Sequence, residues 1–141
     1  MSEAETRCVL LADPHHGMSE GMRGLLATAF EAVVMVADEV SLFESAGRLD
    51  SHLAIVDLAL SRGNVLEMMR RLRSRFPAMK VIAVSVHDQP SVSRSVLDAG
   101  ADGFVTKRAI ATDLLAAAEA VLAGQRYVSL AAGQHETGDR P

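Results

Sequence analysis

Leu53-Ala54-Ile55-Val56-Asp57 decides the fold: four aliphatic residues in a row, closed by a carboxylate. An aliphatic run of this length without polar alternation reads as a strand buried on both faces, the pattern of a parallel sheet covered by helices. The same design recurs along the chain. Val9-Leu10-Leu11-Ala12 ends on Asp13, Val81-Ile82-Ala83-Val84 on Ser85, and Phe104-Val105-Thr106 on Lys107. Ligands of such sheets sit outside the carboxyl ends of the strands, so two carboxylates, a hydroxyl and an ammonium are expected along one edge.

Helical patterns fill the intervals. Met18, Met22, Leu25, Leu26 and Ala29 recur at helical spacing after a loop through Gly17. Val33 to Ala37 forms a further strand, followed by a short helix near Ser41 to Arg48. Leu66, Met69, Leu72 and Phe76 make one helical face, with Arg70, Arg71, Arg73 and Arg75 mostly on the opposite, solvated side, and Pro77 ends the helix. Asp88-Gln89-Pro90 reads as a helix start, with Asp able to cap and Pro suited to the first turn. That helix carries only Val92, Val96 and Ala99 on its stripe before Gly100, which marks it as loosely held. Ile110, Leu114, Ala118, Val121 and Leu122 form a stronger stripe that stops at Gly124. Five β-α units give a five-stranded parallel sheet in the order 2-1-3-4-5 with helices on both faces. The switch point of that order falls between the strands that end in Asp13 and Asp57. Residues 7–128 form the domain in this reading, and the small, polar residues 129–141 form a mobile tail.

Composition narrows the function. The 141 residues are 49% hydrophobic, enough for one core, and carry a net charge of −4, which attracts neither nucleic acid nor an anionic membrane. Cys8 stands alone, so no internal disulfide forms, and it reads as a small buried hydrophobe in a reducing compartment. Met1-Ser2-Glu3-Ala4-Glu5 is acidic and resembles neither a signal peptide nor a membrane span. A cytoplasmic protein is expected.

As a set, Leu10-Leu11-Ala12-Asp13, Ile55-Val56-Asp57-Leu58, Ala83-Val84-Ser85-Val86-His87-Asp88, Ala99-Gly100-Ala101-Asp102-Gly103-Phe104 and Thr106-Lys107 resemble the receiver domain of bacterial two-component response regulators, most closely the NarL/LuxR type. The resemblance implies a flavodoxin-like receiver fold and a signalling protein that is not an enzyme. It makes Asp57 the phosphoacceptor, a carboxylate nucleophile toward the phosphoryl group of a sensor histidine kinase or phosphotransfer protein. Lys107 and Ser85 would bind the phosphoryl group, because phosphoryl transfer needs charge neutralisation more than covalent help. Asp13, Asp57 and the backbone carbonyl of Ala59 would hold Mg²⁺. Ser85 and Phe104 would form the switch, the hydroxyl moving toward Asp57 and the ring turning inward behind it. Output would pass by protein contacts, homodimerisation among them, with no DNA bound by these residues alone.

The departures from the family are informative. Pro14 stands where a second acidic metal ligand usually follows Asp13, so Mg²⁺ binding is expected to be weak. Arg108 replaces the proline that many receivers carry after the lysine, so no cis peptide bond is expected there. NarL-type regulators usually continue into a helix-turn-helix domain, which leaves a single-domain or a shortened regulator. His15 and His16 could supply metal nitrogens beside Asp13, but adjacent side chains on an extended loop point apart and no Cys or third His accompanies them, which favours solvated loop residues. Ser85 lacks the Gly-x-Ser-x-Gly turn of a hydrolase nucleophile. The alternative to a phosphorylated switch is a degenerate receiver that acts as a phosphorylation-independent interaction or dimerisation scaffold.

Overall fold

The computed structural model describes residues 7–129 and 135–137. Its elements follow the alternating pattern: β1 (Cys8–Ala12), α1 (His16–Leu26), β2 (Ala32–Val36), α2 (Glu39–Arg48), β3 (Leu53–Asp57), α3 (Val65–Arg75), β4 (Lys80–Ser85), α4 (Pro90–Asp98), β5 (Gly103–Thr106), α5 (Ile110–Leu122), β6 (Tyr127–Ser129) and β7 (His135–Thr137). Short 3₁₀ turns, Leu58–Leu60 and Lys107–Ala109, follow β3 and β5. Among the described residues, no helix is long and apolar enough to cross a membrane.

The sheet order is β2-β1-β3-β4-β5-β6-β7, parallel from β2 to β6. The expected order 2-1-3-4-5 is present, and with it the switch point between β1 and β3. Alternate residues of each strand feed two separate cores. Val9, Leu11, Leu53, Ile55, Ile82 and Val84 pack with Met22 and Leu26 of α1 and Leu114 and Val121 of α5. Leu10, Ala12, Ala54, Val56, Ala83 and Phe104 pack on the other face with Leu42 of α2, Leu72 of α3 and Val96 of α4. Burial on both faces is why these strands lack polar alternation. Every residue of β3 is buried, Asp57 included.

The expectation of five strands is corrected by two more. β6 adds to β5 in parallel, with Gly103 opposite Tyr127 and Phe104 opposite Val128, and β7 pairs with β6 antiparallel. Without β6 the outer edge of β5 would present unpaired backbone groups. The boundary placed at residue 128 therefore falls inside a strand: Ser129 is fully buried, and its hydroxyl accepts the Thr106 N–H at 3.1 Å. Of the tail expected at 129–141, residues 130–134 and 138–141 lie outside the described residues.

Local expectations fare unevenly. Gly100 and Gly124 end α4 and α5 with φ of +132° and +90°, as their type suggested. Asp88 does not cap α4. Gln89 occupies that position with no side-chain bond, and Asp88 instead ion-pairs with Arg108. Met18, assigned to the core stripe of α1, is exposed. The arginine face of α3 is only partly solvated. Arg73 lies across the bottom of the sheet, donating to the carbonyls of Gly100, Pro77 and Met79 and to Asp102. Arg71 and Arg75 lie over the rings of Phe43 and Phe76. Guanidinium planes stack on aromatic faces while their edges remain free to pair, which is how a helix can spend arginines on structure.

Candidate functional site

The carboxyl ends of β1, β3, β4 and β5 lie side by side, because Ala12 is in register with Val56, Asp57 with Val84, and Ser85 with Thr106. Asp13, Asp57, Ser85 and Lys107 therefore reach one rim. Asp57 is held at the mouth of β3 by its own backbone: Oδ1 accepts the Ala59 N–H at 2.8 Å, a local turn that starts the 3₁₀ segment. Asp13 is fixed in the same way, Oδ1 accepting the His15 N–H at 2.8 Å. Each carboxylate thus spends one oxygen on a loop and keeps the other. Those second oxygens, Asp13 Oδ2 and Asp57 Oδ2, are buried and accept no hydrogen bond.

Lys107 supplies the counter-charge. Its Nζ ion-pairs with Asp57 Oδ2, without hydrogen-bond geometry, and stands 4.0 Å from Asp13 Oδ2. Burial raises the Asp13 pKa above the ordinary carboxyl value, and the Asp57 carboxylate pushes in the same direction. The His15 N–H and the Lys107 ammonium oppose that rise only in part.

His15 is a solvated loop residue, as its position suggested, but it is not remote from the carboxylates. Its side chain is 58% exposed, yet Nδ1 lies 3.3 Å from Asp13 Oδ1, 3.7 Å from Asp57 Oδ2 and 3.4 Å from Lys107 Nζ. Pro14 itself is exposed and its side chain offers no ligand atom. Its fixed φ and the Asx turn at Asp13 carry the next side chain back over the carboxylates, a local geometry that residue spacing alone does not display. His16 begins α1 and is exposed.

A cavity of about 700 Å³ opens beside Asp57, lined in part by His15, Ala59, Ser85, His87, Val92 and Lys107. Ser85 Oγ accepts the His87 N–H at 2.9 Å, within its own loop. Phe104 is completely buried, in the core that also holds Val96 and Ala99. A phenyl ring has no hydroxyl to keep in water, so burial against Val96 and Ala99 is its best state. No cis peptide bond occurs among the described residues, that between Lys107 and Arg108 included.

The family model described as the response regulator receiver domain matches residues 9–119. The chain belongs to that family. It is 34% identical to the transcriptional activator protein ExaE of Pseudomonas putida over 132 residues, covering 85% of this chain and 57% of that protein. Among solved structures, the non-phosphorylated receiver domain of the stress response regulator RcsB from Escherichia coli superposes with a TM-score of 0.78 at 26% identity, over 87% of this chain and 98% of that one. The isolated receiver domain of RcsB from Salmonella enterica serovar Typhimurium, in the presence of the phosphomimetic BeF₃⁻, gives 0.77 at 25% identity, over 87% and 93%. The chain spans little more than half the length of the curated relatives it matches. As a receiver domain, it has the architecture of a two-component signalling module.

Proposed function

We propose that this receiver domain accepts a phosphoryl group on Asp57 and passes the signal on through protein contacts. One observation carries the reading: Asp57 Oδ2 is a buried carboxylate oxygen that accepts no hydrogen bond, paired with Lys107 and facing a cavity that Ser85 also lines. In the transfer, Oδ2 attacks phosphorus, the bond from phosphorus to the donor nitrogen breaks, and its electron pair stays on that nitrogen. Lys107 moves its charge from the carboxylate to a phosphoryl oxygen, and the Ser85 hydroxyl, released from its loop, donates to another. The donor is a sensor histidine kinase or a phosphotransfer protein. The two hydrogen-bond-free carboxylate oxygens suit a hard divalent cation, so Asp13, Asp57 and the Ala59 carbonyl would hold Mg²⁺, which neutralises charge on the phosphoryl group.

Acetyl phosphate or phosphoramidate with Mg²⁺ should add one phosphoryl group, mapped by intact-mass and peptide spectra to Asp57 and absent in Asp57→Asn. The scaffold reading draws on Pro14, whose side chain offers no ligand atom where a second acidic residue usually stands. An unchanged mass after prolonged treatment would select it, with the domain serving as a fixed interaction or dimerisation surface.

A further inference from the structure

We propose that His15 completes a divalent-metal site with Asp13 and Asp57, and that its imidazole shifts the site's preference from Mg²⁺ toward borderline ions such as Zn²⁺ and Co²⁺. The proposal deepens the phosphoacceptor reading, since it concerns the same pocket and rests on it for what the metal would serve.

The sequence removes a carboxylate at Pro14 and the fold returns a different donor one residue later. Ligand atoms of Asp13, His15 and Asp57 all lie within 4.8 Å of one another, so one ion can reach all three. The Asp13 side chain is fully buried, and its Oδ2 accepts no hydrogen bond while it stands 4.0 Å from the Lys107 ammonium. A buried carboxylate oxygen without a donor is costly unless a cation or proton is supplied. A set of three carboxylate and carbonyl oxygens is hard and suits Mg²⁺. Exchanging one oxygen for an imidazole nitrogen favours the later first-row ions, whose affinity for nitrogen rises along the divalent series, whereas Mg²⁺ binds nitrogen poorly. Lys107 is the cation already present, so the entering ion takes over its role beside Asp57 and leaves the ammonium for the phosphoryl group.

Any nitrogen and oxygen site binds Zn²⁺ more tightly than Mg²⁺, so a bare preference decides nothing. The selectivity change on removing His15 does. Titration calorimetry with Mg²⁺, Mn²⁺ and Zn²⁺ alone, and the visible absorption of added Co²⁺, are to be recorded on the wild type, His15→Ala, and His87→Ala as a control for the other cavity histidine. His15→Ala is expected to weaken Zn²⁺ and Co²⁺ by at least about tenfold, in line with the cost of losing a ligand or its support. Mg²⁺ affinity should change less than about threefold and the Co²⁺ band should lose intensity, while His87→Ala should match the wild type. Equal loss for Mg²⁺ and Zn²⁺, or no loss for either, would overturn the proposal. Phosphorylation of Asp57 with Mg²⁺ is scored separately: its failure alongside a His15-dependent Zn²⁺ site overturns the phosphoacceptor reading alone.

Discussion

Asp13 shows how one residue can be placed against its own preference. Burial and the neighbouring Asp57 raise its pKa, so the folded protein holds the Asp13 proton more tightly than the unfolded chain does. Folding takes up that proton in the window above the ordinary carboxyl value. Ionised Asp13 thus weakens the fold at neutral pH, and this deficit is relieved as pH falls through the window. In chelator at pH 7, Asp13→Asn should therefore have a higher urea midpoint than the wild type, because the amide oxygen can still accept the His15 N–H and the like charge is gone. The advantage should vanish below about pH 3.9, where the unfolded carboxyl is protonated too. Urea titrations at both pH values decide it. Legibility at this scale was divided. Asp13, Asp57, Ser85 and Lys107 were readable because each follows an apolar run, and the end of the run marks the end of the strand. His15 was not, because its position depends on a turn made by Asp13 Oδ1 and on the φ of Pro14, neither of which leaves a periodic trace.

The elements were legible where a stripe or a stop signal was strong. α5 and its Gly124 ending follow from spacing, as does the Gly100 ending of α4. What spacing could not reveal is that Gly100 also serves α3. A Cβ at Gly100 would stand 2.8 Å from Arg73 Cβ, and the Gly100 carbonyl accepts from Arg73 Nε at 3.1 Å. Gly100→Ala therefore adds a clash to the strain of a left-handed residue, and should cost about 2–3 kcal/mol by chemical denaturation. Gly124 has a similar φ but open space around its missing Cβ, so Gly124→Ala should cost only about 1 kcal/mol. Comparable losses for the two would mean that Arg73 yields freely. Asp88 was misread for a related reason: capping is a local rule, and the charge of Arg108, brought close by the fold, outcompetes it. β6 was missed because three residues, Tyr127-Val128-Ser129, are too few to form a pattern, although Tyr and Val after a helix stop are strand-forming types.

Over the whole molecule the sheet order was legible because alternating β-α units leave few topologies, and the extra strands were not, because edge pairing depends on what lies beside β5 in space. The Thr106–Ser129 contact links that edge to the pocket. Ser129 Oγ accepts the Thr106 N–H and lies 3.2 Å from Thr106 Oγ1, both groups buried. Ser129→Ala would leave the Thr106 N–H without that acceptor and should cost about 1–3 kcal/mol, read from the urea midpoint at constant m-value. A loss below a few tenths would mean that the strand slips to find another acceptor. The same contact gives the domain a handle. Tension applied to the chain beyond Ser129 arrives one residue from Lys107, whereas tension applied at Arg7 arrives on β1, whose last residue precedes Asp13. Arg7 and Ser129 thus lie at the roots of opposite charges of the pocket, one leading through β1 to the carboxylate of Asp13 and the other through Thr106 to the ammonium of Lys107.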